Sequence, residues 1–411
     1  MLKELWFTLI LASLFFSKVD AQTLDSYINT ALKNSPLLYD FNNQKLSAKF
    51  DSLLLIASYK PQVNQLTQAT YFPGGSGYGY DDAITNGGNY SAVVNVTKSL
   101  FNRKMINGQL QSLDLVNQTL RINEKITLID LKKSITAQYL TAFTDFSQNQ
   151  FNQSVLELLT RELKTIRALV DKGVYQITDL LNLQVMITSQ KIVMSQSSIQ
   201  LANDIALLNF ICGINDQHDQ VKLINPELTV QNVFNPESSP LMAQFRIDSL
   251  KNINSRQLID LSYRPRVNIF ADAGVNAIAP ENIPHNLGGS VGVNLAIPIY
   301  DGKQRKLQYK KLSLSENTRI YYRRFYSSQY KLQFDQLTNQ LKLTDNLILE
   351  IKNQLSQQDK LLELYHLELE KGLVRFLDFS TVFNNYTSTK ITCLLSEMNR
   401  MQIINQLNYL K

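Results

Sequence analysis

Two short strings, "GVYQITDL" (173–180) and "GLVRFLDF" (372–379), each set a glycine ahead of an aspartate followed by leucine or phenylalanine. The side chains of Asp179 and Asp378 could cap the helices that follow, where a carboxylate satisfies free backbone N–H groups. Other chemistry does not assemble. His218, His285 and His366 are too scattered to ligate one metal. There is no Walker loop and no HExxH. The sequence therefore predicts neither catalysis nor a cofactor. The stretch "KQRKLQYKKLSLSENTRIYYRRFYSSQYK" (303–331) interleaves bases with aromatics, as nucleic-acid binders do. Its place just after a strand makes a solvated helix face the first reading and contact with anionic lipid the second, and nucleic acid is not expected. The net charge of +6 is mild and spread out.

The elements carrying the two strings are themselves duplicated. "YKPQVN" (59–64) returns as "YRPRVN" (263–268), and "SPLL" (35–38) as "SPLM" (239–242). Further along, "VVNVTKSLFNRK" (93–104) matches "GVNLAIPIYDGK" (292–303), and "KGVYQITDL" (172–180) matches "KGLVRFLDF" (371–379). The chain is thus a tandem repeat of one unit.

Within each copy the periodicity switches. Val267, Ile269, Ala271, Ala273 and Val275 alternate with polar residues, as do Val291, Val293, Leu295 and Ile297. Tyr90, Ala92, Val94 and Val96 repeat the pattern in the first copy. Period two marks strands, and runs of about 9–12 residues suit a tilted strand crossing a bilayer. Gly- and Pro-punctuated loops (73–88 and 279–289) close each hairpin. The alternating apolar residues, Val267, Ile269, Val291, Val293, Leu295 and Ile297, are expected to face lipid.

After each hairpin no Gly or Pro interrupts Gln109 to Lys172, or Lys303 to Lys371. One helix over such a run would be roughly 100 Å long, in coiled-coil-like packing. The boundaries expected are a signal peptide at 1–21 and two repeats, 22–238 and 239–411. The first contains helix 36–58, hairpin 61–99, long helix 103–172, returning helix 177–212 and a linker at 213–238. The second contains helix 240–262, hairpin 265–299, long helix 303–371 and returning helix 376–411. A returning helix and the next short helix together match one long helix, which places the linker as a belt at mid-height. The leader rests on Lys3, an apolar run from Leu5 to Phe16, and small residues before Gln22.

Four strands cannot close a barrel, and an open sheet edge cannot sit in lipid. Oligomerisation follows, with eight, twelve or sixteen strands from two, three or four copies; twelve leave room for a passage. The two cysteines, Cys212 and Cys393, are expected to stay free. Aligned through the repeat, they lie roughly 27 Å apart along the returning helices, beyond disulfide reach.

At this point the chain resembles the TolC-like outer-membrane efflux proteins. The likeness spans residues 24–411, from "TLDSYINTALKNSP" through both Pro-bearing strand starts, both hairpins and both Gly-bearing turns. The resemblance implies a mainly α chain with a transmembrane β portion. Three copies would share a twelve-stranded barrel in the outer membrane, continued by a long periplasmic α-helical barrel. It implies a passive exit duct, served by a periplasmic adaptor protein and an inner-membrane pump. It also implies a tip formed by Gly173, Val174, Tyr175, Thr178, Asp179, Gly372, Leu373, Arg375 and Asp378, which contacts the adaptor and opens. It implies that three copies of Asp179 and of Asp378 would form carboxylate rings near a constriction, a device that favours cations, with helix capping the other reading of the same side chains. Some members carry a second aspartate where this chain has Thr381, so an acidic gate here would be weaker. The rival reading is a soluble periplasmic coiled-coil adaptor or scaffold.

Overall fold

The computed structural model describes residues 23–73, 87–215, 222–231 and 234–410. The expected leader, most of the first hairpin loop and His218 lie outside these residues. In chain order the elements are α1 (Leu24–Asn34), α2 (Pro36–Ser58), β1 (Gln62–Phe72), β2 (Gly87–Leu100), α3 (Arg103–Asp171) and α4 (Ile177–Cys212). Then come α5 (Pro240–Ser262), β3 (Arg266–Ala277), β4 (Leu287–Ala296), α6 (Gln304–Glu370) and α7 (Phe376–Asn408). The duplicated order helix–hairpin–long helix–helix is present twice, as the repeat requires. One boundary differs in kind: β4 stops at Ala296, so Ile297 lies past the strand. Pro298 follows, and a residue without an N–H cannot extend the ladder.

Local chemistry sets the element ends. Thr23 caps α1 by accepting the Ser26 N–H at 3.2 Å, and Ser239 caps α5 by accepting that of Leu241 at 3.2 Å. Pro61 and Pro265 sit between a helix end and a strand start, where the residue before proline is pushed out of helical geometry. At the far ends α3, α4 and α6 close on glycines with positive φ: Gly173 (+74°), Gly213 (+64°) and Gly372 (+72°).

The chain forms two compact units. One contains Asp40–Glu124 and Glu237–Tyr326, and carries the sheet. Its helices are joined by polar bonds: Asn254, 2% exposed, donates Nδ2 to the Gly108 carbonyl at 3.1 Å. Tyr59 donates its hydroxyl to Gln109 Oε1 at 2.8 Å, and Lys45 pairs with Glu124 at 2.8 Å. Glu316 accepts from Arg319 at 2.6 Å and from Asn252 at 2.9 Å. Those bonds, the arginine's first, hold its carboxyl down to about 2.

The other unit comprises the described parts of Met1–Tyr39, Lys125–Pro236 and Ser327–Lys411. Its core gathers Tyr27, Ala31, Ile135, Tyr139, Leu208, Cys212 and Leu223, with the Tyr27 and Tyr139 rings edge to face at 5.7 Å. The Tyr139 hydroxyl donates to the Ile224 carbonyl (2.7 Å) and accepts its N–H (3.1 Å), fastening the linker to α3. Asn408 pins the same linker from α7, accepting from the Gln231 N–H at 2.7 Å and donating to the Thr229 carbonyl at 2.8 Å. Cys212 and Cys393 are free and buried, and burial pushes the Cys212 thiol up to about 11.

Candidate functional site at the paired turns and the sheet

The two Gly-bearing turns are built alike. At the end of α3 the Gly173 N–H returns to the Val170 carbonyl (2.9 Å) and the Val174 N–H to that of Leu169 (2.9 Å). At the end of α6, Gly372 and Leu373 repeat this with Leu369 (3.0 Å) and Glu368 (2.9 Å). This double closure needs one left-handed residue, which glycine adopts without steric cost.

The turns also meet. The Tyr175 hydroxyl donates to the carbonyl of Val374 at 2.7 Å and reaches that of Leu369 at 3.3 Å. Val174 stands directly over Gly372: a Cβ built there would come within 2.3 Å of Val174 Cγ1. Beneath them lie Leu180, Leu183, Leu369, Phe376, Phe379 and Phe383, all buried. The rings of Phe379 and Phe383 stack at 6.1 Å.

Of the residues expected at the tip, Val174 (48%), Leu373 (72%) and Arg375 are exposed, whereas Tyr175 is turned inward at 9%. Tyr175 therefore joins the turns rather than presenting a surface. Thr178 donates to Gln176 Oε1 at 3.3 Å. The aspartates sit at the third helical position, not at the cap itself, which is Gln176 in α4 and Arg375 in α7. Asp179 Oδ2 accepts the Gln176 backbone N–H at 3.1 Å, the reaching-back half of a capping box. Asp378 instead accepts from two guanidinium nitrogens of Arg375, Nε at 2.9 Å and Nη2 at 3.0 Å. Each carboxylate is thus bonded within its own turn, and the two turns do it differently.

Sequence reasoning missed two features here. The spacing of Phe376, Phe379 and Phe383 was readable as a buried helical stripe. The pairing of Glu162 with His366 was not: Glu162 on α3 is 2% exposed, with His366 Nδ1 on α6 at 3.0 Å. Burial pushes the Glu162 carboxyl up, against the pull of His366.

In the sheet unit the strands run β1-β2-β3-β4, all antiparallel, with β1 and β4 at its edges. The register aligns Val63, Val96, Ala271 and Val291 in one row across it. Leu100, Val267 and Leu295 form another row, and Lys98, Ile269 and Val293 a third. Side chains alternate across a strand, so these rows share one face. The opposite face carries the row Asn64, Asn95, Asp272 and Ser290, in which Ser290 donates to Asp272 at 2.7 Å. On the apolar face Ile269 is 38% exposed, Leu295 58%, Val293 68% and Val291 85%. Val267 is half-buried; Ile297, 53% exposed, follows the strand.

This architecture has solved counterparts. The chain superposes on CusC, described for its folding and transmembrane channel formation, with a TM-score of 0.77 at 12% identity, covering 95% of this chain and 92% of that one. It superposes on the outer membrane protein VceC of Vibrio cholerae with a TM-score of 0.73 at 12% identity, covering 94% and 95%. For the outer-membrane channel OprN the values are 0.74 and 14%, covering 97% and 92%. The fold is that of the TolC-like channels. No family model matches the sequence, and no curated protein does. At such identities the likeness is one of fold, and the TolC-like architecture accounts for the four strands per chain and the two long helices.

The remaining candidates resolve into scaffold. In the basic stretch Arg305 pairs with Asp260 at 2.5 Å, Arg319 with Glu316 and Arg323 with Glu237 at 3.0 Å. Arg305 thus holds α6 to α5 and Arg323 holds it to the linker, while the Arg319–Glu316 pair lies within α6. Among the described residues no cluster of His, Cys, Asp or Glu is placed to hold a metal.

Proposed function

We propose that the chain is one subunit of an outer-membrane export duct, a passive exit for a pump and adaptor of the cell envelope. The observation that carries this reading is the sheet. Strands β2, β3 and β4 alternate between an exposed apolar face and a polar one, and among the described residues no strand pairs with the outer edge of β1 or of β4. An apolar face of this kind is costly in water, and open edges are costly in lipid. Three copies joined edge to edge answer both costs, giving twelve strands with apolar rows toward lipid and the Asn64–Asn95–Asp272–Ser290 rows toward a passage. None of the described helices is long and apolar enough to span a membrane.

The paired turns then serve as the periplasmic tip. Val174, Leu373 and Arg375 offer the surface an adaptor would touch, and Asp179 and Asp378 add carboxylates around the opening. Two of the fold's solved counterparts, VceC and OprN, are named as an outer membrane protein and an outer-membrane channel, which supports the export reading.

The deciding experiment is the mass of the detergent-extracted protein before and after heating. A heat-labile trimer recovered from outer membranes is the expected result. A monomer released by carbonate without detergent would remove the barrel and leave a soluble scaffold.

A further inference from the structure

A cluster of cations stands apart from the basic stretch, at the helix end of the sheet's polar face. Lys104, Arg264 and Arg266 line one cavity of about 290 Å³ there, and no carboxylate forms part of its wall. All three are exposed, and among the described residues none has an ion pair or a side-chain hydrogen bond. The arginines of the basic stretch differ, since Arg305, Arg319 and Arg323 each meet a carboxylate. Like charges gathered around one space repel, so this cluster does not serve to hold the unit together.

The strand register fixes which way the cluster faces. Ser99, in the same cavity wall, lies opposite Asn268 and donates its hydroxyl to Asn268 Oδ1 at 2.6 Å. Side chains alternate along a strand, so Arg266 and Asn268 share the face of Asp272, Asn95 and Ser290. Arg264 and Arg266 flank Pro265, about 7 Å apart along an extended chain. Asp272 is the only carboxylate in the described strands; it lies about 20 Å along β3 from Arg266 and already accepts from Ser290 at 2.7 Å. Two planar guanidinium forks and an ammonium around one small space match an oxyanion, which arginine holds through paired N–H donors.

We propose that Lys104, Arg264 and Arg266 form an oxyanion-binding collar in the passage, and that the exported cargo carries a carboxylate or phosphate group. The proposal rests on the export reading, in which the polar face lines the passage. Three copies then set three such clusters in one ring, and a ring of arginine and lysine selects anions. Exposure to water keeps each contact weak, so an anion is drawn in and released again.

The test places the detergent-purified full chain in planar bilayers of zwitterionic lipid, with a potassium chloride gradient and citrate as the oxyanion probe. Arg264→Gln with Arg266→Gln should lower the chloride-to-potassium permeability ratio roughly threefold or more, while Arg264→Lys with Arg266→Lys keeps it. Citrate should block the parent current saturably, and the Gln pair should lose that block. The heat-labile oligomer tests the duct separately: its absence in the parent overturns the export reading and this inference with it. A parent oligomer that citrate does not block, or a Gln pair with unchanged selectivity, overturns this inference alone. So does an oligomer that the Lys pair forms and the Gln pair does not, since the cations would then be holding a neighbouring subunit.

Discussion

Tyr175 and Val374 hold the same place in the two halves of the chain, and the phenol of one donates to the carbonyl of the other at 2.7 Å. The two turns are therefore a single joint, sealed by a bond that only the first half can supply. Tyr175→Phe keeps the ring in its apolar seat and leaves the Val374 carbonyl without this donor. A neutral hydrogen bond contributes about 0.5–1.5 kcal/mol net, so a loss of that size is expected on unfolding. Hydrogen exchange locates it: amides around 174–176 and 373–376 should exchange faster together. Acceleration on only one side would mean the turns are not coupled through this bond.

The glycines of the two turns should differ in their tolerance of alanine. Both have positive φ, so either substitution carries about 1–2 kcal/mol of backbone strain. A Cβ on Gly173 meets open space, whereas one on Gly372 meets Val174 Cγ1 at 2.3 Å. Gly372→Ala should thus cost clearly more than Gly173→Ala. Adding Val174→Ala should bring the two costs together. Equal losses in the single variants, measured by denaturant unfolding, would mean Val174 gives way freely.

How far the sequence could foresee this depended on whether a feature was local. Pro61 and Pro265, with the alternating runs after them, marked strand starts because proline and period-two patterning act within a few residues. Gly173 and Gly372 marked helix ends for the same reason. The lengths of α3 and α6 followed from the absence of any breaker. The Tyr175–Val374 bond and the Glu162–His366 pair join residues about two hundred positions apart, which no local pattern encodes. The aspartates show the limit within one motif. Asp179 and Asp378 occupy equal positions in matching strings, yet their partners differ because Gln176 offers a backbone N–H where Arg375 offers a guanidinium.

Asp145 on α3 makes stability depend on pH. Burial, followed by its hydrogen bond and charge interaction with Asp204, raises its carboxyl from 3.8 to about 7, while the bond between them lowers Asp204. A raised carboxyl binds its proton more tightly folded than unfolded. Its penalty is absent below pH 4, grows as pH rises through 4 to 7, and is complete above that. Asp145→Asn removes the ionising group, so the variant should gain stability relative to the parent at pH 8 and little at pH 4. Melting temperatures of both proteins at the two pH values decide it. A difference that does not change with pH would place the shared proton elsewhere.

The apolar sheet face predicts a gradient. Val291 lies in the row of Val63, Val96 and Ala271, without a charge, whereas Val293 shares its row with Lys98. A cation already accommodated in the Val293 row marks it as nearer the headgroups, where long basic side chains reach water. In a membrane barrel an arginine costs about 2–4 kcal/mol at the midplane and about 0–1 near the interface. Val291→Arg should therefore reduce the heat-labile oligomer far more than Val293→Arg. Asn294→Arg, on the polar face, is the control for strand disruption alone. If Val291→Arg assembles as well as Asn294→Arg, the apolar rows do not meet lipid and the membrane reading fails at its anchor.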